Sequence, residues 1–327
     1  MQLTQEGLSM VLRLERKTII AERICSLELV DPHARPLPRF SAGAHLDLQV
    51  ADGVVRQYSL SNDPTEDQRY RLAVLKEEDS SGGSVAVHDQ LQEGDLVLVS
   101  APRNHFRLAN EARHSLLFAG GIGITPILSM AWSLQGRGAA FDLHYSARSE
   151  ARTAFRDEIR SAPFADRTRF YFSDGAPRQR FRDQLPQLIP EPADHTHVYV
   201  CGPRGFIEAV MDSFESRGWP KQQLHTEYFE GAEFDTSDDD SFEVELASSG
   251  DVYTVPPDRS VFEVLDEAGI FIPTSCEQGV CGTCLTKVLE GEPEHRDMFM
   301  DDDEHATNDQ FTPCCSRSKS KRLVLDL

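Results

Sequence analysis

The sequence lacks any apolar run approaching the roughly 18 residues that a membrane-spanning helix needs. Its opening segment, Met1 to Lys17, is polar and mixed in charge, unlike a secretory leader. No membrane is expected as a partner, and the expectation is a soluble, cytoplasmic protein. Positive charge is also short: 33 Lys and Arg face 54 Asp and Glu, for a formal net charge of -21. Such a chain repels phosphate backbones, and with no DNA-binding motif present, nucleic acid is excluded. The seven cysteines are an odd number and do not suit a secreted disulfide scaffold. Internal repeats are absent. The acidic runs at 235–240 and 301–304 read either as solvated surface or as a face that steers a partner.

What is present is concentrated near the end of the chain. Cys276, Cys281 and Cys284 stand at C-x4-C-x2-C spacing, and Cys314 and Cys315 follow. That spacing is the plant-type [2Fe-2S] pattern, in which thiolates from one loop and a later cysteine hold two irons. Gly279 and Gly282 give the loop room to curl and let backbone N–H groups approach the sulfurs. A zinc site, which favours C-x2-C pairs, and inert buried thiols are the bland alternatives. Only one of Cys314 and Cys315 can be the fourth ligand.

At 327 residues the chain is too long for one ordinary domain. Residues 1–112 hold short alternating strands such as His45 to Val50, Arg56 to Leu60 and Tyr70 to Leu75, separated by turn signals and broken by one helix over 84–91. This predicts an antiparallel β-barrel. From residue 113 the pattern changes to apolar strands alternating with helices up to 230, the pattern of a parallel α/β sheet. Residues 231–241 read as an acidic linker. Residues 242–327 run strand, strand, helix, cysteine loop, strand, strand, which fits a small β-grasp domain.

Several stretches have binding chemistry beside a plainer reading. Gly120-Gly121-Ile122-Gly123-Ile124-Thr125-Pro126 follows a strand and opens a helix, so glycine backbone and helix N–H groups could face a pyrophosphate. It lacks the full G-x-G-x-x-G, and tight turns of this kind also serve packing. Cys201-Gly202-Pro203 ends a later strand of the same sheet and should border the same crevice; Cys201 alone is more often a buried thiol. Arg56-Gln57-Tyr58-Ser59-Leu60 could flank a flavin and hold its phosphate, or be an ordinary edge strand. Ser80-Ser81-Gly82-Gly83-Ser84 could cradle a phosphate or be a flexible turn.

The order of these pieces resembles the phthalate dioxygenase reductase family, especially its vanillate demethylase and carnitine monooxygenase reductase branches. The resemblance covers essentially the whole chain, including His295-Arg296-Asp297 and the Leu-Val-Leu-Asp-Leu ending. It implies an FMN barrel, a ferredoxin-reductase-like NAD domain and a [2Fe-2S] ferredoxin domain in one polypeptide. Carried over by position, Arg56, Tyr58 and Ser59 contact FMN, and Gly83 and Ser84 hold its phosphate. Gly121, Gly123, Thr125, Cys201, Gly202 and Pro203 frame NADH, and Phe229 lies against the flavin ring. The gap before the last cysteine of plant-type ferredoxins assigns Cys314 as fourth ligand and leaves Cys315 a small buried thiol. Where the family often has Arg before Gly-Gly-Ser, this chain has Ser81, which shifts more of the phosphate's charge balance onto Arg56.

The implied activity is an NADH-dependent flavin/iron–sulfur oxidoreductase. A hydride pair passes to the flavin, single electrons pass to the cluster, and a separate Rieske-type terminal oxygenase receives them. No side-chain acid or base is required. Three alternatives stand beside it: an FAD-containing reductase for a different monooxygenase, an electron carrier with a vestigial α/β domain, and a redox-sensing regulator. Ser146 and Arg148 follow the second α/β strand, where they could accommodate the 2′-phosphate of NADPH, whereas the resemblance implies NADH.

Overall fold

The computed structural model describes residues 8–51, 53–77, 82–174, 180–231 and 239–327. The chain divides into two compact units, Met1–Glu227 and Tyr228–Leu327.

The first unit begins with six antiparallel strands: β1 (Leu8–Ala21), β2 (Ile24–Val30), β3 (His45–Ala51), β4 (Val54–Ser59), β5 (Tyr70–Leu75) and β6 (Leu96–Ser100). Helix α1 (Gly83–Asp89) lies between β5 and β6. The sheet order is β4-β3-β6-β1-β2-β5, and its end strands β4 and β5 approach each other, as a barrel requires. Leu12, Leu14, Leu27, Leu29, Leu46 and Leu48 fill the interior. Each buried leucine contributes about 1.5–3 kcal/mol relative to exposure. β1 is longer than its apolar alternation suggests, because its second half, Arg16 to Ala21, is held by pairing with β2 rather than by burial.

Five parallel strands follow: β7 (His114–Gly120), β8 (Ala140–Ala147), β9 (Thr168–Phe172), β10 (Thr196–Cys201) and β11 (Leu224–Glu227). Helices α2 (Ile124–Gly136), α3 (Arg156–Ser161), α4 (Phe181–Leu188) and α5 (Arg204–Ser216) connect them. β7 and β10 are buried along nearly their whole length, which is why β7 reads as a continuous apolar run from Ser115 to Ala119. The order β11-β10-β7-β8-β9 reverses direction between β7 and β10. Loops at the carboxyl ends of those two strands therefore border the crevice where such sheets take ligands. Neither α4 nor β11 was expected: α4 is short and contains Pro186, and β11 is four half-buried residues without an apolar run.

The second unit contains β12 (Phe242–Leu246), β13 (Val252–Val255), α6 (Val261–Glu267), β14 (Thr286–Glu290), β15 (Pro293–Glu294), α7 (Asp302–Thr307), β16 (Gln310–Phe311), β17 (Arg317–Ser318) and β18 (Arg322–Leu325). The main sheet runs β13-β12-β18-β14-β16, with β12 and β18 parallel and its other pairs antiparallel. That mixed sheet around α6 is the expected β-grasp.

Two acidic stretches carry structural roles, the first of them while staying solvent-exposed as its plain reading has it. Asp301 caps α7 and accepts the Glu304 N–H at 2.8 Å, while Glu304 accepts the Asp301 N–H at 2.9 Å. The run at 301–304 is thus a capping box, with its acids at the positive end of the helix dipole. The Asp239 side chain, read as part of a solvated linker, is 8% exposed and pairs with Arg296 (2.5 Å) and Arg317 (3.3 Å). Residues 232–238 of that linker lie outside the described residues.

Candidate functional site

In the first unit the glycine loop and the Cys201-Gly202-Pro203 loop are in backbone contact. A Cβ on Gly123 would lie 2.3 Å from the Cys201 carbonyl oxygen, so only glycine fits there. Gly121 has φ +54° and open space where its Cβ would stand, leaving its backbone accessible to a ligand. Thr125 is buried on the first turn of α2 and donates its hydroxyl to the Ile122 carbonyl at 3.0 Å, fixing the loop's curl. Pro203 caps α5, and the two loops together form one wall at the switch point.

The facing strand β4 carries Arg56, Tyr58 and Ser59. Arg56 and Tyr58 share a face by the two-residue period of a strand. The Arg56 side chain runs against Gly83: a Cβ there would meet Arg56 Cγ at 2.7 Å. The two positions expected to hold a flavin phosphate are therefore brought together. Ser84 is on the same helix, and its hydroxyl accepts the Glu77 N–H at 3.1 Å. Ser80 and Ser81 lie outside the described residues. Burial raises the Tyr58 phenol well above its ordinary range, so it stays protonated.

Sequence reasoning missed Glu227. It ends β11 beside Cys201 in parallel register and accepts a hydrogen bond from the Ser59 hydroxyl at 3.3 Å. Its enclosed carboxyl is pushed up to about 8 by burial, against a smaller lowering by Ser59. It is therefore protonated near neutral pH, and Ser59, Glu227 and Cys201 line the crevice without a net charge. Burial, then the neighbouring Glu227, also pushes the Cys201 thiol well up, so it is no nucleophile. The signal available was a single carboxylate at the carboxyl end of the last parallel strand, two residues before Phe229. Phe229 itself belongs to the second compact unit.

The cysteine loop in the second unit gathers four sulfurs. The Cys284 and Cys314 sulfurs are 3.4 Å apart, and sulfhydryl contacts from Cys281 and then Cys314 hold the Cys276 thiol well below its ordinary range. The Gln278 N–H reaches Cys276 Sγ at 3.4 Å and the Thr283 N–H reaches Cys281 Sγ at 3.5 Å. Backbone donors on thiolates are what a two-iron cluster's ligand set requires. Gly279 (φ +73°) has no room for a Cβ, which would stand 2.4 Å from Cys315 Sγ. Cys315 is half-buried beneath the loop and contacts the Thr312 hydroxyl at 3.3 Å.

The His295-Arg296-Asp297 stretch packs on this loop. The Met298 N–H donates to the Gly279 carbonyl at 2.9 Å, and the Asp297 carboxylate accepts the Met300 N–H at 2.8 Å and contacts His305 Nε2 at 3.2 Å. His295, Asp297 and His305 lie close enough to suggest a metal site. The two imidazoles are stacked, with centroids 4.4 Å apart and planes 17° apart. In-plane lone pairs of stacked rings do not converge on one ion, so this cluster is a structural support for the loop.

The fold and site define a nicotinamide-dependent reductase module joined to a plant-type iron–sulfur module. An oxidoreductase NAD-binding domain family matches residues 117–212, and a 2Fe-2S iron-sulfur cluster binding domain family matches residues 244–319. The chain belongs to the phthalate dioxygenase reductase family. It is 50% identical over 309 residues to the vanillate O-demethylase oxidoreductase of Pseudomonas sp. strain HR199, covering 94% of this chain and 97% of that protein. It is similar to the solved structure of phthalate dioxygenase reductase, a modular structure for electron transfer from pyridine nucleotides to [2Fe-2S], at TM-score 0.77 and 40% identity, covering 99% of both chains. It also matches part of an intact type IV self-sufficient cytochrome P450 monooxygenase at TM-score 0.85 and 35% identity, covering 100% of this chain and 43% of that one. The protein is therefore an NAD-dependent oxidoreductase carrying a flavin and a [2Fe-2S] cluster. Among the described residues no helix is long and apolar enough to cross a membrane.

Proposed function

We propose that the protein is the cytoplasmic reductase component of a two-component Rieske-type oxygenase, with FMN as its flavin and NADH as its donor. The observation that carries this is the joining of a nucleotide crevice and a four-sulfur loop in one chain, matched end to end by an oxygenase reductase. The functional modules are then 1–112 for FMN, 113–230 for NADH and 242–327 for the cluster, with 231–241 between them.

FMN, when bound, supplies the conversion of a hydride pair into single electrons that the cluster can carry. Arg56, Gly83 and Ser84 would hold its phosphate, and Tyr58 and Ser59 would line its ring, with Phe229 against it. Gly121, Gly123 and Thr125, with Cys201, Gly202 and Pro203, would seat the nicotinamide and pyrophosphate: Gly121 leaves its backbone open to a ligand, and the tight packing of Gly123 and Gly202 against the facing loop holds the wall in place. Glu227 would hold its proton beside Ser59, so this part of the crevice would add no negative charge of its own. Cys276, Cys281, Cys284 and Cys314 would ligate the cluster.

Anaerobic titration with NADH tests this reading. The expected result is bleaching of flavin absorbance followed by the paramagnetic signal of a reduced two-iron cluster. Acid release should yield FMN, and initial rates should favour NADH over NADPH. Absence of NADH-driven bleaching, with dithionite still effective, would overturn it. The similarity to the P450 fusion supports a second reading, in which the acceptor is a haem monooxygenase; reduction of a purified Rieske oxygenase but not of a P450 decides between them.

A further inference from the structure

Arg71, on β5, is 8% exposed and is not among the flavin or nucleotide positions above. Its guanidinium joins three segments. Nε donates to the Ser61 hydroxyl at 3.2 Å and Nη2 to the Ser61 carbonyl at 3.0 Å. The Arg71 backbone N–H donates to Asn62 Oδ1 at 3.0 Å. The residues that follow Ser59 on the flavin side are thus fixed to Arg71.

The other edge of the guanidinium crosses to the α/β layer. Nη1 and Nη2 donate to the two Glu158 carboxylate oxygens at 2.8 and 2.9 Å, a bidentate pair. Glu158 Oε1 also accepts from Trp132 Nε1 at 3.3 Å, and Trp132 is on α2, whose first turn is the nucleotide loop. The guanidinium carbon stands 4.6 Å from the Phe155 ring centroid. Phe155 has φ +57°, a strained value for a bulky residue that persists only where neighbours impose it. The same loop is held again where the Glu22 N–H donates to the Ala151 carbonyl at 2.7 Å.

We propose that Arg71 is a positioning residue for hydride transfer: through Ser61 and Glu158 it sets the distance between the flavin strand and the nucleotide loop. An ion pair that is only partly buried, as this one is with Glu158 at 30% side-chain exposure, is weak evidence for stability. A rigid five-donor fork tied to both reacting lobes supplies geometry, and a misplacement of about 1 Å costs about 100-fold in rate.

The inference rests on the proposed function, and the test separates the two. Stopped-flow reduction of the anaerobic holoprotein by NADH and by 4-deuterated NADH is compared in wild type, Arg71→Lys, Arg71→Met and Glu158→Gln. The expected result is hydride transfer slowed about 10- to 100-fold in Arg71→Met and less in Arg71→Lys, because an ammonium replaces only part of the fork. The NADH dissociation constant should move less than about threefold while the deuterium isotope effect changes, with flavin content and dithionite reduction as in wild type. Should Arg71→Met fail to fold, Arg71→Lys and Glu158→Gln carry the decision. Rates within about twofold of wild type in both, or losses matching lost flavin, overturn the inference. A wild-type protein that NADH does not bleach overturns the functional reading instead.

Discussion

Replacing Glu227 by Gln should abolish a pH dependence built into the crevice. The carboxyl's ordinary value is 4.5, and the fold raises it to about 8. Between those values the folded protein keeps a proton that the unfolded chain has released. Stability therefore falls as pH rises through that window and is level on either side of it. At about 1.4 kcal/mol per pH unit the full interval corresponds to about 5 kcal/mol. Glu227 is only half-buried as a residue, so solvent reduces this, and the expectation is about 2–4 kcal/mol. Denaturant unfolding of the first unit, measured from about pH 5 to about pH 9, should show Glu227→Gln gaining that much on wild type as pH rises. A carboxylic-acid stretch titrating near pH 8 in the infrared should vanish in the variant. A stability difference that stays constant across the range, or a band already lost by about pH 6, would refute the reasoning.

Other predictions follow from single contacts. In Gly123→Ala the new Cβ would stand 2.3 Å from the Cys201 oxygen where ordinary contact begins at 3.4 Å, so 1.1 Å must be found by parting the loops. NADH-driven flavin bleaching should slow about 100-fold, with dithionite reduction unchanged. Asp239→Ala leaves Arg296 and Arg317, each 7% exposed, without their shared carboxylate. Arg296 keeps Glu294 at 2.7 Å and Arg317 keeps its backbone acceptors, so the change should cost the second unit about 1–3 kcal/mol in thermal unfolding, whereas the exposed neighbour Asp240→Ala should stay within about 0.5 kcal/mol. Cys314→Ser should lose the two-iron absorbance and paramagnetic signal, while Cys315→Ser keeps both. Chelator removal of the cluster iron should leave NADH bleaching of the flavin intact and sharply slow cytochrome c reduction.

Much of the fold was legible because its signals are local. Ser115 to Ala119 reads as a continuous apolar strand, as a strand buried on both faces must, and His197 to Cys201 carries the β-branched and aromatic residues of a strand. The cysteine spacing was equally plain, since one loop must carry three ligands. Glu227 was hidden because its environment is made by register with Cys201 and by Ser59, 168 residues away in sequence. Asp239 was hidden among identical neighbours: nothing in an acidic run marks which carboxylate meets two buried guanidinium groups. Phe155 and Arg71 were likewise invisible, because a left-handed backbone at a bulky residue shows only in three dimensions.

The burial of Cys25 and Cys201 has a practical consequence. Both thiols are enclosed and held protonated, the first pushed up to about 11. An alkylating reagent applied to the folded protein will pass them by. Rapid labelling is then confined to the cysteine loop and the neighbouring half-buried Cys315. In a Cys315→Ser protein, the number of tagged cysteines becomes a gauge of how many molecules in a preparation have shed their iron.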